Sequence, residues 1–327
     1  METDDCFYQE LDTDFSRSLG ELKTDNPDDD RFQRQFVHLS PVKSKFKKTV
    51  ETVLCVHGQK SEAEPGVPMT LLVLGVQLNC HGRDFRFQSV TVRLEFGEDD
   101  KADLPNAAPA NAKVVAFAPW VQERRWNQSD ASITDTKGGG AALGVEQMAK
   151  AELSATLERQ IAYTRTHFDR GTASRLADER TGRVHGVEWY CEQNKLQNLG
   201  VEPYFLLAVL VERASAAATF SATYNMRIEA GFMYDLRQGI RTAFRLRRPE
   251  DAPLYYDPSR PPQANGLEDK GISLLAKVDP KNLGALAAGS QLSKILDPDE
   301  GLRLSAFEPL QPPKAAGDDG EEYADDA

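Results

Sequence analysis

The 327-residue chain has little of what marks several large protein classes. Its four cysteines, Cys6, Cys55, Cys80 and Cys191, are sparse and irregularly spaced, which excludes the disulfide framework of small secreted domains. The longest apolar run covers residues 204–211 and is too short for a membrane-crossing helix, which needs about 20 residues. The N-terminus lacks the basic and apolar regions of a signal peptide. Together these absences predict a cytoplasmic or nuclear protein that is not secreted and has no transmembrane segment.

Motifs that carry a catalytic mechanism are absent as well. The glycines within 138–144 lack the spacing of a dinucleotide-binding loop and the Gly-Lys-Ser/Thr of a phosphate loop. The acidic run at 297–301 has a glycine where an EF-hand loop requires a ligand. The pairs Cys55/His57 and Cys80/His81 are candidate zinc ligands, but Cys80 and His81 are successive residues and point to opposite faces of a strand unless a turn intervenes. The sequence therefore predicts no catalytic residue, no cofactor and no metal; it leaves enzyme activity open while favouring a protein without one.

Charge is distributed unevenly. Of the net charge of −12, residues 1–30 carry −9 and residues 311–327 carry −5, which leaves +2 for the chain between them. Acidic ends of this kind are typical of solvated, disordered tails. The basic and aromatic stretch at 31–48 is too short to form a nucleic-acid-binding face. A protein or a small apolar metabolite is therefore the expected partner, a membrane surface is the alternative, and nucleic acid is not expected.

Hydrophobic alternation with a period of two predicts a mainly β chain. Residues 71–80 and 85–96 predict a first hairpin, with a β-bulge near Gln88, where the inward-facing parity changes. Residues 204–211 are apolar on both faces and residues 219–230 alternate without error, which predicts a second hairpin. Weaker patterns predict further strands at 48–57, 113–121 and 184–191.

Residues 145–168 fit two interpretations. Their apolar odd-numbered positions suit a long strand, and the threonines support it. Leu153, Leu157 and Ile161 also suit one face of a helix, which the alanine, glutamate and lysine content favours. We predict a strand. The amphipathic strand at 145–163 is also the segment by which a membrane-active protein would enter a bilayer.

These patterns predict a two-sheet β-sandwich over residues 41–248. An arm at 1–40, acidic and then basic, is expected to be disordered. A proline-rich extension with short helices is predicted over 249–310, and a disordered acidic tail over 311–327.

A group of tryptophans and arginines is the candidate binding surface. It comprises Trp120, Arg124, Arg125, Trp126 and Trp189. Tryptophan and arginine dominate the energetics of protein interfaces. In the alternative interpretation an edge-strand tryptophan packs on the core and an arginine stem covers it.

Several segments resemble an uncharacterised group of β-rich intracellular proteins from filamentous fungi. The resemblance covers roughly residues 45–245 and is carried by residues 86–96, Trp189, the turn at 194–200, the apolar strand before Glu212, and residues 220–224. It implies a fungal intracellular β-sandwich. It transfers no catalytic residue, since no activity is known for that group.

Three functions agree with the sequence. The absence of a mechanism-bearing motif favours a non-catalytic intracellular binding or scaffold protein. A second hypothesis is a pathway enzyme of the cyclase or isomerase type, or an accessory protein, in fungal secondary-metabolite biosynthesis, because a preorganised apolar pocket needs no motif. A third is a membrane-active β-protein.

Overall fold

The computed structural model describes residues 24–28, 30–41, 44, 46–81, 85–97, 112–137, 159–230, 251–265, 274–288 and 291–296. Twelve strands lie in this part of the chain. They are β1 (Phe36–Leu39), β2 (Phe46–Ser61), β3 (Glu64–Cys80), β4 (Ser89–Gly97), β5 (Lys113–Ala118), β6 (Arg124–Lys137), β7 (Arg159–Ala177), β8 (Val184–Glu192), β9 (Tyr204–Glu212), β10 (Phe220–Glu229), β11 (Leu254–Tyr256) and β12 (Gln263–Ala264). A 3₁₀ segment at Pro280–Ala287 and the short helix α1 at Gln291–Ile295 come after them.

The strands form two antiparallel sheets, which confirms the predicted mainly-β sandwich. Sheet I has the order β1-β2-β3-β9-β5, with β12 paired to β2. Sheet II has the order β11-β10-β4-β8-β7-β6. Aliphatic and aromatic side chains from the facing sides of both sheets form the central core. Strands are present at each of the three weaker predicted positions, as β2, β5 and β8.

The pairing of the two predicted hairpins was wrong. β3 lies in sheet I, between β2 and β9, whereas β4 lies in sheet II, between β10 and β8. In the same way β9 belongs to sheet I and β10 to sheet II. Each pair of consecutive strands is thus connected across the sandwich. The pattern of β9 is confirmed, because seven consecutive residues of it are buried. β10 alternates as predicted from Ala222 onward, whereas Ser221, predicted to face outward, is buried and donates to the carbonyl oxygen of Gly97.

The predicted bulge near Gln88 is also replaced by a different local structure. β4 begins at Ser89, and residues 85–88 precede it as extended chain outside any strand. The main chain of Gln88 is hydrogen bonded to Glu229 and Gln193. The side chain of Phe87 still packs in the core. The change of inward-facing positions from odd to even numbers therefore falls where the connection between the two sheets ends and β4 begins.

The C-terminal segments cover the outer face of sheet I. Leu274, Leu283 and Ile295 pack with the outward side chains of β2, β3 and β9 in a second apolar cluster. This cover explains why β9 is apolar on both faces: one face meets sheet II and the other meets the C-terminal layer. Among the described residues, no helix has the length and apolar content needed to cross a membrane.

Part of the predicted N-terminal arm belongs to the folded body. β1 pairs with β2, and Arg34, Val37 and His38 are buried. Two contacts hold residues 36–39 in the sheet. The side chain of Val37 joins the core, and Arg34 donates hydrogen bonds to the carbonyl oxygens of Val37 and Ala252. The arm therefore ends before residue 40, and residues 1–23 lie outside the described part of the chain.

Candidate functional site

Two long paired strands, β6 (14 residues) and β7 (19 residues), extend beyond the rest of sheet II. β7 pairs with β8 only from Arg170 to Ala177, since β8 ends at Glu192. β6 and β7 continue as a pair past this point, from Ser129↔His167 to Lys137↔Arg159. We call residues 129–137 and 159–167 the ribbon. At a rise of about 3.4 Å per residue, its nine pairs extend roughly 27–30 Å.

A β-bulge marks the point where the ribbon leaves the sheet. Trp126 is paired with Asp169, and Ser129 is paired with His167. Two residues of β6, Asn127 and Gln128, therefore lie opposite a single residue of β7, Phe168. Asn127 adopts the left-handed conformation with φ = 51°, which asparagine tolerates better than most residues. A bulge of this kind bends the strand and changes the direction of the residues beyond it.

Asn194, in the loop after β8, ties both strands together at the bulge. Its side-chain amide donates to the carbonyl oxygen of Asn127 at 2.7 Å and to the hydroxyl of Ser129 at 2.7 Å, both on β6. Its main-chain N–H donates to the carboxylate of Asp169 on β7. That carboxylate also accepts from Asn127 Nδ2 at 3.0 Å. Asn194 is 1% exposed, whereas its partners Asn127, Ser129 and Asp169 are half-buried.

The inner side of the hairpin base is aromatic. The rings of Trp120 and Trp126 are stacked with centroids 6.1 Å apart, and Trp120 also contacts Phe205 at 5.8 Å. Both tryptophans are 6% exposed. Gly171 provides the space for Trp120, because an added Cβ would lie 2.5 Å from the indole ring. The body of the sandwich thus holds the hairpin base by packing as well as by hydrogen bonds.

The outer side of the base carries exposed arginines. Arg124 and Arg125 are both exposed, and the guanidinium carbon of Arg125 lies 4.4 Å from the centroid of the Phe168 ring. Arg125 Nε also lies 2.6 Å from a carboxylate oxygen of Glu123. These exposed contacts are worth about 1 kcal/mol or less each.

Three carboxyl side chains, Asp169, Glu192 and Glu202, line a small cavity at the base of the hairpin. The stacked tryptophans, Cys191, Val201 and Phe205 complete its lining. Burial raises the pKa of Asp169, although the hydrogen bonds from Asn194 and Asn127 act in the opposite direction. Burial, reinforced by the charge of Asp169, raises the pKa of Glu202. A proton is therefore held more firmly on Asp169 and Glu202 than on solvent-exposed carboxyl groups.

The structure brings four of the five residues of the predicted surface to this base. Trp120, Trp126, Arg124 and Arg125 lie together, but only the arginines are exposed. Trp189 is 1% exposed and packs against Phe117 in the central core, with ring centroids 6.5 Å apart. Each tryptophan is thus a core residue, as in the alternative interpretation.

Sequence reasoning did not single out Asn127, Asp169 or Asn194. The sequence nevertheless contains a signal for the bulge. The inward-facing residue Trp126 has an even number, whereas the apolar residues from Ala131 onward have odd numbers, and an extra residue between them accounts for this change. No local pattern predicts Asn194, which lies 67 residues from Asn127.

The two cysteine–histidine pairs lie apart. Cys55 pairs with Leu72, whereas Cys80 pairs with Phe46 at the far end of the β2–β3 hairpin. No group of three or more potential metal ligands occurs within the described residues. Cys55 Sγ lies 3.7 Å from His57 Nε2, and burial raises the pKa of Cys55 to about 12, so the thiol is inert at neutral pH.

His57 predicts an acid-dependent loss of stability. Burial, and then the charge of Arg213, lower the pKa of His57 to about 4, compared with about 6.5 in the unfolded chain. Between these values the unfolded chain binds a proton that the folded chain does not, so stability falls as the pH falls from about 6.5 to about 4. We expect His57→Gln to remove roughly 2–3 kcal/mol of the stability difference between pH 7 and pH 4.5, measured by urea denaturation. His81→Gln, at an exposed position, is the control; an equal effect of both variants would contradict the prediction.

Comparison with known proteins finds only solved structures with low TM-scores and low sequence identity. No protein-family model matches the chain, and no curated protein matches it in sequence. Among solved structures, the delta-toxin of Clostridium perfringens is similar over 68% of this chain and 84% of its own, with 12% identity and a TM-score of 0.30. A pore-forming protein is similar over 58% of this chain and 76% of its own, with 9% identity and a TM-score of 0.28. The membrane-inserted form of the Clostridium perfringens NetB toxin covers 58% and 75%, with 8% identity and a TM-score of 0.18. Likenesses of this size establish neither a family nor a function.

Proposed function

We propose that this protein is membrane-active and that several copies permeabilise a bilayer by inserting the β6–β7 hairpin. The observation that carries the proposal is the ribbon, nine residue pairs that project beyond the last strand able to pair with them. We place this proposal ahead of the binding or scaffold hypothesis, because only Arg124 and Arg125 of that hypothesis's candidate surface are exposed and its three tryptophans are buried.

The ribbon has open edges. Among the described residues, no strand pairs with the outer edge of β6, and β6 alone pairs with β7 before Arg170. An isolated two-stranded ribbon is at best marginally stable in water, and its free N–H and C=O groups are available to another strand. In a bilayer such groups must be satisfied by protein, so insertion requires ribbons from several copies to pair side by side.

The sequence between β6 and β7 has the alternating composition that strands inserted in a bilayer require. In residues 141–157 the odd-numbered positions are alanine, leucine and valine, with Gln147 as the exception. Six of the nine even-numbered positions from 142 to 158 are polar or charged. Paired strands of this pattern present one apolar and one polar face.

The length of the connection also fits a bilayer. Strands tilted by about 45° need about 9–11 residues each to cross the apolar core. The 21 residues from 138 to 158 supply two arms of about ten residues. Asp135, Lys137 and Arg159 flank these arms, at the level that headgroups occupy in the proposed inserted state.

The test is dye release from phosphatidylcholine–phosphatidylserine vesicles by the full chain. We expect release at micromolar protein, and an at least tenfold lower rate for the double variant Leu153→Arg with Leu157→Arg. A lipid-facing arginine costs about 2–4 kcal/mol near the middle of the bilayer, where position 153 is expected to lie. The cost is about 0–1 kcal/mol near the interface, where position 157 is expected to lie because it is two residues from Arg159.

The matched control places the same charges on the other face. The double variant Ser154→Arg with Thr156→Arg is expected to keep most of the release, because these positions face the polar side of the inserted hairpin. Circular dichroism melting of all three proteins confirms equal folding. Absence of release by the unaltered chain, or equal loss in both double variants, would refute the proposal.

A further inference from the structure

We propose that Asn194 is the positioning residue of the hairpin: it fixes the direction in which the ribbon leaves sheet II and holds its base closed. This inference deepens the proposed function and rests on it for its biological meaning. The structural role itself is tested without a membrane.

Asn194 occupies the place where a third strand would otherwise continue. β8 pairs with β7 as far as Glu192, and two residues later the chain turns away. At this turn Asn194 contacts β6 through its side chain and β7 through its main chain. Asn194 therefore bonds to β6 and β7 where β8 no longer pairs with β7, next to the first residue pairs of the ribbon.

All the polar groups of the Asn194 side chain are used. Its amide nitrogen makes the two donations to β6, and its oxygen accepts from the main-chain N–H groups of Leu196 at 2.9 Å and Gln197 at 3.4 Å. The second pair of bonds fixes the loop, and the first pair fixes β6 relative to that loop. Since the side chain is short and fully buried, its position leaves little freedom in the exit angle of the strand.

The bulge makes this restraint effective. A continuous ladder would fix the direction of β6 by itself, whereas two residues opposing one leave the local bend adjustable. The carbonyl group that Asn194 holds belongs to Asn127, the bulge residue with positive φ. Loss of the amide donors is thus expected to release the bend while the Trp120–Trp126 packing stays in place.

The decisive experiment is hydrogen exchange of the full chain in solution, measured by mass spectrometry. Asn194→Asp keeps the acceptor oxygen and removes both donors to β6. We expect amides of the ribbon, at 129–137 and 159–167, to exchange about tenfold faster, with β2, β3 and β9 unchanged. Asn225→Asp, the same change at an exposed position of β10, is the matched control and leaves exchange unaltered. Ser129→Ala removes a single acceptor, and a two- to threefold effect confined to the ribbon is expected from it.

Two results would overturn the inference. Unchanged ribbon exchange in Asn194→Asp would show that the amide does not hold the base. Equal acceleration in all strands would show that Asn194 supports the whole fold and has no specific role in positioning. Vesicle release is measured in parallel, and Asn194→Asp is expected to release dye several-fold faster than the unaltered chain. If the unaltered chain releases nothing, the proposed function fails, and the exchange result still decides the role of Asn194.

Discussion

Gly171→Ala is expected to lower the free energy of unfolding by about 3 kcal/mol, although it adds a single methyl group to a strand. The new Cβ would lie 2.5 Å from the Trp120 ring, which cannot retreat because Trp126 is stacked beside it and Phe205 packs close by. The strain falls on β7 next to the bulge. We therefore expect the ribbon to lose protection from hydrogen exchange before the rest of sheet II does.

Gly97→Ala is the matched control for this substitution. Gly97 also lies in a strand of sheet II, and no atom lies within 4 Å of the position that its Cβ would occupy. Alanine there should change stability by less than about 0.5 kcal/mol, as is usual for open surface positions. Urea denaturation of both variants decides the prediction, and equal stability of the two would contradict it.

Arg34→Met is expected to cost about 3 kcal/mol or more and to loosen the N-terminal segment selectively. Arg34 is 5% exposed, and it donates to the carbonyl oxygens of Val37 at 3.1 Å and Ala252 at 2.7 Å, and to Asn26 at 3.0 Å. Methionine fills a similar volume without a donor, so buried carbonyl groups lose their partners at about 1–3 kcal/mol each. Arg34→Lys restores the charge and lacks the planar fork, so partial recovery is expected.

Arg227→Met provides the control, because Arg227 is an exposed arginine of β10. Its thermal midpoint should remain within a degree or two of the unaltered protein. Limited proteolysis gives the second readout: Arg34→Met should be cut faster between residues 24 and 41, and Arg227→Met should not. Resistance of this segment in Arg34→Met would show that it is held by β1 pairing alone.

Strand positions and buried faces were predictable from the sequence, because alternation records which side of a strand meets the core. Pairing partners were not. β3 and β4 succeed each other with a turn-like sequence between them, yet each pairs with strands about a hundred residues away or more, β9 for β3 and β8 and β10 for β4. A period of two shows that a face is buried and leaves open which sheet buries it.

The base of the hairpin was predictable only in part. Tryptophan and arginine identified the region, but the same composition fits an exposed interface and a packed edge, and burial decided between them. The network of Asn127, Asp169 and Asn194 joins three segments distant in sequence. Single polar residues carry no periodicity, so a contact of this kind becomes visible only when the strands are in place.

The position of β9 between β3 and the edge strand β5 of sheet I has a consequence for biosynthesis. β2 and β3 adjoin in sequence and pair first, but the other edge of β3 stays open until β9 is made, roughly 130 residues later. At about 5–20 residues per second, the ribosome needs roughly 6–26 seconds to deliver it. During that interval the nascent chain presents a long apolar strand with an open edge, the form most prone to aggregate. We therefore expect newly made chains to depend on a chaperone until β9, which ends at Glu212, has left the ribosome. A ribosome-bound fragment that ends before β9 should be recovered together with that chaperone.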